Sequence, residues 1–134
     1  MNRITRALAV PGLLVAGLAL VGAVRAVPAA TTLHLQLDRS SPEADEMLSE
    51  TPASVTLWFS QAPQMSGTSV RLVPEGGEPL ELAAAKAKED DPKVIVLNVD
   101  QALPDGKYSV VWRAMAQDGH TVRGDFSFMV HATR

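Results

Sequence analysis

Asp118 and His120 stand two residues apart on either side of Gly119, in a stretch that reads as the tip of a hairpin. Where the backbone is extended, residues i and i+2 leave the same face, so a carboxylate and an imidazole at this spacing can share one ion. Two ligands hold a metal weakly. A third is at hand in His34 if the first strand runs beside this loop. Two imidazoles and a carboxylate suit Cu(II) or Zn(II), and tetragonal nitrogen and oxygen coordination favours Cu(II). The residues by themselves leave a plainer reading open. Asp-Gly is a routine turn pair, and an isolated loop histidine is usually just solvated. The chain has three histidines and no cysteine, so a thiolate site and a disulfide framework are both excluded. The third histidine, His131, ends the last apolar run and reads as a solvated terminal side chain.

The elements that must hold these residues are strands. Tyr108, Val110, Trp112 and Ala114 alternate before the loop, and Phe126, Phe128 and Val130 alternate after it. Over Thr31 to Asp38, Leu33, Leu35 and Leu37 alternate with His34, Gln36 and Asp38, which puts His34 on the polar face of a first strand. Residues 39–45 carry turn chemistry, and Glu43 to Glu50 is expected to form a single helical turn. Ser54 to Phe59 predicts a strand with Val55, Leu57 and Phe59 inward and Trp58 opposite. Ser60 to Gly67 reads as a loop, Thr68 to Val73 as a strand, and Pro74 to Gly77 as a tight turn. Leu80 to Leu82 reads as a short strand and Ala83 to Asp91 as a solvated connection. Lys93 to Val99 is almost continuously apolar, which predicts a strand covered on both faces. The pattern predicts an all-β protein: a seven-stranded immunoglobulin-like Greek-key β-sandwich with no disulfide.

The first 30 residues are read as a leader, separate from a domain over 31–134. Arg3 and Arg6 precede an uncharged apolar run from Ala7 to Val24, and small residues follow, with cleavage expected near Ala26 or Ala29. An uncleaved anchor is the alternative, since the run sits at the short limit for a membrane span. Without the leader the chain has nine basic residues against fifteen acidic ones, a balance of −6. Such a surface disfavours nucleic acid and anionic membrane as partners and tolerates cations.

The sequence resembles the CopC family of periplasmic copper-binding proteins. The likeness is carried by His34 with Leu37-Asp38-Arg39-Ser40-Ser41-Pro42, and by Val55-Thr56-Leu57-Trp58-Phe59-Ser60. It continues through Leu103 to Arg113 and Asp118 to Phe128, the two most specific blocks. The resemblance implies a seven-stranded sandwich and a Cu(II) site. Its ligands would be His34, with its ring and, where it is the terminus, its amine, together with Asp118 and His120. Neither expected cleavage point lies directly before His34, so either processing trims further or water completes the site. Some family members carry a methionine-rich loop for Cu(I). Here Met65 stands alone in the matching loop and Met47, Met115 and Met129 are scattered, so the methionines read as packing.

The resulting expectation is a monomeric, non-enzymatic periplasmic protein. It sequesters Cu(II) or delivers it to an inner-membrane copper transporter, and it binds no nucleic acid. Two rivals stand beside it. A histidine-brace copper oxygenase needs a free terminal histidine at position 34, and a non-metal interaction module needs only the sandwich.

Overall fold

The computed structural model describes residue 12 and residues 34–132. The expected leader and its cleavage points lie outside the described residues. The chain divides into two units, residues 1–31 and 32–134, and every strand described belongs to the second. Among the described residues there are eight strands: β1 (Leu37–Ser41), β2 (Met47–Leu48), β3 (Ser54–Phe59), β4 (Gln64–Pro74), β5 (Lys86–Ala87), β6 (Val94–Asn98), β7 (Gly106–Met115) and β8 (Thr121–Val130). They form two four-stranded sheets, ordered β1-β3-β6-β5 and β2-β8-β7-β4. Only β2 against β8 is parallel among these pairs.

The alternation of β3 turns Val55, Leu57 and Phe59 fully inward, at 0–3% exposure. β7 does the same with Tyr108, Val110, Trp112 and Ala114, and its register pairs Tyr108 with Phe128 and Trp112 with Gly124. Two aromatic contacts fill the space between the sheets. Phe59 meets Trp112 edge-on at 5.4 Å, and Tyr108 stacks on Phe128 at 5.8 Å. Such pairs add about 0.5–1.5 kcal/mol beyond the area they bury. A Cβ at Gly124 would fall 2.5 Å from the Trp112 ring, so only glycine lets the indole lie across β8. The Tyr108 hydroxyl donates to the Pro104 carbonyl, which ties the start of β7 to the turn before it. Burial, and then the Asp105 charge, push the Tyr108 phenol above its ordinary value.

Several local expectations are corrected. Residues 43–50 form no helical turn. Instead Met47 and Leu48 add a short strand to β8, through bonds such as Asp45 N to Ser127 O and Met129 N to Glu46 O. The first strand begins later than expected, at Leu37, and extends to Ser41, so His34 precedes it. β4 starts at Gln64, inside the expected loop, with an irregularity before Ser69. The Thr68 hydroxyl bridges that irregularity, accepting from Met115 N and donating to Gln64 O. Leu80 to Leu82 is not a strand, although Leu80 N still bonds Leu72 O, and the connection after it holds β5. Trp58 is half-buried, with the Arg39 guanidinium 4.1 Å from its ring centre.

Candidate metal centre

β7 and β8 form a ten-residue hairpin ladder from Gly106–Val130 to Met115–Thr121, and its closed end carries the loop 116–120. The loop is held by its own backbone. Ala116 N donates to His120 O at 2.7 Å, and Gly119 N donates to Ala116 O at 2.9 Å. Gly119 adopts φ +90°, in the left-handed region that favours glycine. Two glutamines tie the loop to residues 62–64, at the start of β4. Gln64 Nε2 donates to the carbonyls of Ala116 and Gln117, and Gln117 Nε2 donates to Ala62 O. Sequence reasoning missed both, because contacts more than fifty residues apart leave no local periodicity.

Asp118 and His120 do meet, but through a hydrogen bond. One Asp118 oxygen accepts from His120 N at 3.0 Å, and the other lies 2.8 Å from His120 Nδ1. The backbone bond, then the side-chain bond, hold the Asp118 carboxyl below the usual carboxylate range. A carboxylate facing Nδ1 favours the tautomer with the proton there, which leaves Nε2 with its lone pair free. Both side chains are well exposed, at 86% for His120 and 64% for Asp118, so either can turn when a ligand arrives.

His34 approaches from the other side. Its carbonyl accepts from Ser60 Oγ, whose oxygen accepts in turn from Gln36 N, and Ser60 N donates to Gln36 O. Ser60 follows β3 directly, so the end of that strand pins the segment before β1. His34, Asp118, His120 and Gln61 line one open cavity of about 280 Å³, floored by Leu35 and Val122. Among the described residues, no three His, Cys, Asp or Glu side chains are gathered closely enough to hold a metal as they stand. The cleft therefore brings the candidates to one place without closing them on a point.

The other candidates lie elsewhere. His131 stands beyond the far end of β8, with Nδ1 3.6 Å from Asp105. Ten strand residues separate it from His120, about 30 Å of chain. Met65 packs against the core, as expected. Met47 and Met129 do not: they are register partners on the outer face, 66% and 41% exposed.

These features define a class of protein: a disulfide-free Greek-key β-sandwich whose hairpin loop presents a carboxylate-bound histidine beside a second histidine. The CopC domain matches residues 37–131, and the chain belongs to that family. Copper resistance protein C of Escherichia coli is 31% identical over 115 residues, covering 81% of this chain and 90% of that protein. Copper transport protein CutJ of Bacillus subtilis is 23% identical over 104 residues, which cover 78% of this chain and 19% of CutJ. The crystal structure of CopC from Methylosinus trichosporium OB3b superposes with a TM-score of 0.68 at 27% identity, covering 75% of this chain and 97% of that one.

Proposed function

We propose that this protein binds Cu(II) as cargo in the periplasm, at His34, Asp118 and His120, and either sequesters it or delivers it to a membrane copper transporter. One observation carries the reading. His34 and His120 line the same cleft, and Asp118 lies 2.8 Å from His120 Nδ1, an arrangement that favours the proton there and a free Nε2. Two imidazoles and a carboxylate make a nitrogen and oxygen donor set of the kind Cu(II) prefers. The copper-resistance relative and the domain's occurrence within a copper transport protein support the cargo and the handover. The leader pattern supports the compartment.

The exposure of the loop suits exchange better than retention. A metal can reach His120 Nε2 with the Asp118 bond to Nδ1 in place, whereas ligation by Asp118 itself requires that bond to open, and release restores it. His34 supplies its imidazole, with its amine joining only in a chain trimmed to that residue.

Isothermal titration tests the reading. About one equivalent of Cu(II) is expected per chain, with His120→Ala abolishing the saturable phase. Stoichiometric binding that survives both His34→Ala and His120→Ala would overturn it. Copper is also expected to raise the melting temperature, as binding to the native state alone requires.

A further inference from the structure

The outward face of the second sheet carries a charge pattern that the metal loop does not use. Arg71, Arg113 and Arg123 are exposed on the three adjacent strands β4, β7 and β8, and Lys107 is exposed farther along β7. Register sets Arg113 directly opposite Arg123, and sets Val111 between Arg71 and Asp125. The three arginines, Val111 and Asp125 line one shallow depression of about 460 Å³. Among the described residues none of the four cations has an ion-pair partner. Val111, at the centre, is 43% exposed.

This arrangement works against the fold. Like charges directly opposite each other on neighbouring strands destabilise a sheet. The segregation is also extreme for the chain. The depression holds three cations and one carboxylate, a balance of +2, whereas the rest of the sequence beyond residue 30 has six basic residues against fourteen acidic ones, −8. Solubility alone is served by interspersed charge, not by a single-sign face on an oppositely charged body.

We propose that this face docks an extended acidic segment of a partner protein, with carboxylates on alternate residues. The spacing supports it. Cations on neighbouring strands recur at about 5 Å, and at about 7–8 Å on the diagonal. Alternate carboxylates of an extended chain recur at about 6.7 Å, within that grid. Guanidinium groups pair bidentately with carboxylates, and exposed Val111 adds an apolar floor of the kind interface centres use. The face spans only three strands, about 10 Å across, so a membrane surface or a long nucleic acid would also meet the strongly acidic remainder. A single acidic segment need not.

The place of the face matters. Arg113 and Arg123 lie one residue pair away from Ala114–Val122 and two from Met115–Thr121, the last rung before loop 116–120. A segment docked there lies beside the metal loop. This consequence for handover rests on the copper reading, but the docking itself does not.

The experiment uses the full chain and a fluorescein-labelled peptide of about nine residues alternating glutamate and threonine, long enough to cross the face. At low salt, anisotropy should show saturable binding, and amide shift mapping should place it on Arg71, Val111, Arg113 and Arg123. The double variant R113E/R123E should bind at least about tenfold more weakly, because two attractive pairs become repulsive. Lys88→Glu, on the other sheet, and His120→Ala should leave peptide affinity unchanged. The second control separates failure here from failure of the copper site. Absence of saturable binding, or shifts mapping elsewhere, would overturn the proposal. So would displacement of the peptide by phosphatidylglycerol vesicles or a single-stranded oligonucleotide at equal charge concentration. The shift map is read on the unmodified chain, so it decides the matter even if the double variant does not fold.

Discussion

Each end of β8 carries a histidine facing an aspartate. At the hairpin end His120 Nδ1 lies 2.8 Å from Asp118, and at the open end His131 Nδ1 lies 3.6 Å from Asp105. Asp118 grips both the ring and the backbone N–H of His120, in a loop closed by its own bonds and held by two glutamines. Asp105 spends its other oxygen on Ala132 N, so that pair fastens a chain end. Of the two, the hairpin pair is the one that opens onto a cleft shared with another histidine, His34. Composition is the same at both ends. Convergence on a cleft and a shorter carboxylate contact separate a candidate site from a surface ion pair.

The largest expected effect breaks the symmetry of that comparison. His120→Ala should weaken Cu(II) binding at least about 100-fold, since it removes a ligand outright, while His131→Ala should leave it unchanged. Competition titration against a chelator of known affinity measures both. Equal losses from the two substitutions would remove the distinction between the ends.

Next in size is the role of Asp118. If it serves chiefly by holding His120, Asp118→Asn keeps an oxygen that accepts from Nδ1, and Asp118→Ala does not. Removing such a supporting group typically costs about 10–100-fold in metal affinity. Asparagine near wild type with alanine impaired assigns the residue to orienting, whereas equal losses assign it to direct ligation. Asp105→Asn should change neither affinity nor stoichiometry.

Gln64→Ala should act more weakly. It deletes the two bonds to the Ala116 and Gln117 carbonyls and costs roughly 1 kcal/mol of stability. Faster amide exchange confined to residues 116–120, with a few-fold loss in copper affinity, is the expected result. Unchanged exchange would mean that the hairpin alone holds the loop.

Legibility followed the range of the interactions. β3 was readable to the residue, because Val55, Leu57 and Phe59 alternate with no competing signal. The β7–β8 hairpin, and with it the Asp118–His120 loop, stood out for the same reason. β2 did not, since Met47 and Leu48 have no strand pattern of their own and are extended only because β8 offers bonds. The early start of β4 was hidden in the same way, behind a hydroxyl bridge from Thr68. At the site, residue types and spacing pointed to Asp118 and His120 together. That the two bond to each other is a local i,i+2 contact within reach of the spacing, whereas the placing of the cleft by Gln64, Gln117 and Ser60 depends on contacts 26 to 55 residues apart that no local window contains.

The smallest expected effect concerns acid. Asp118 titrates below its ordinary value because His120 donates to its charged form through both backbone and ring. A depressed folded value means that the contribution is present above the unfolded value and fades as pH falls through the folded one. The loop clasp should therefore persist through mildly acid conditions and release only below the usual carboxylate range. Both groups are exposed, so global stability should hardly register the change. Carbon-detected titration of the metal-free chain follows the Asp118 carboxyl directly, with the His120 amide shift tracking the same midpoint. Asp118→Asn should abolish that amide transition, because an amide oxygen accepts the same bond without titrating. An Asp118 midpoint at or above the ordinary value would show that the clasp is too weak in solution to select the tautomer, and the contrast between the two ends of β8 would then rest on His34 alone.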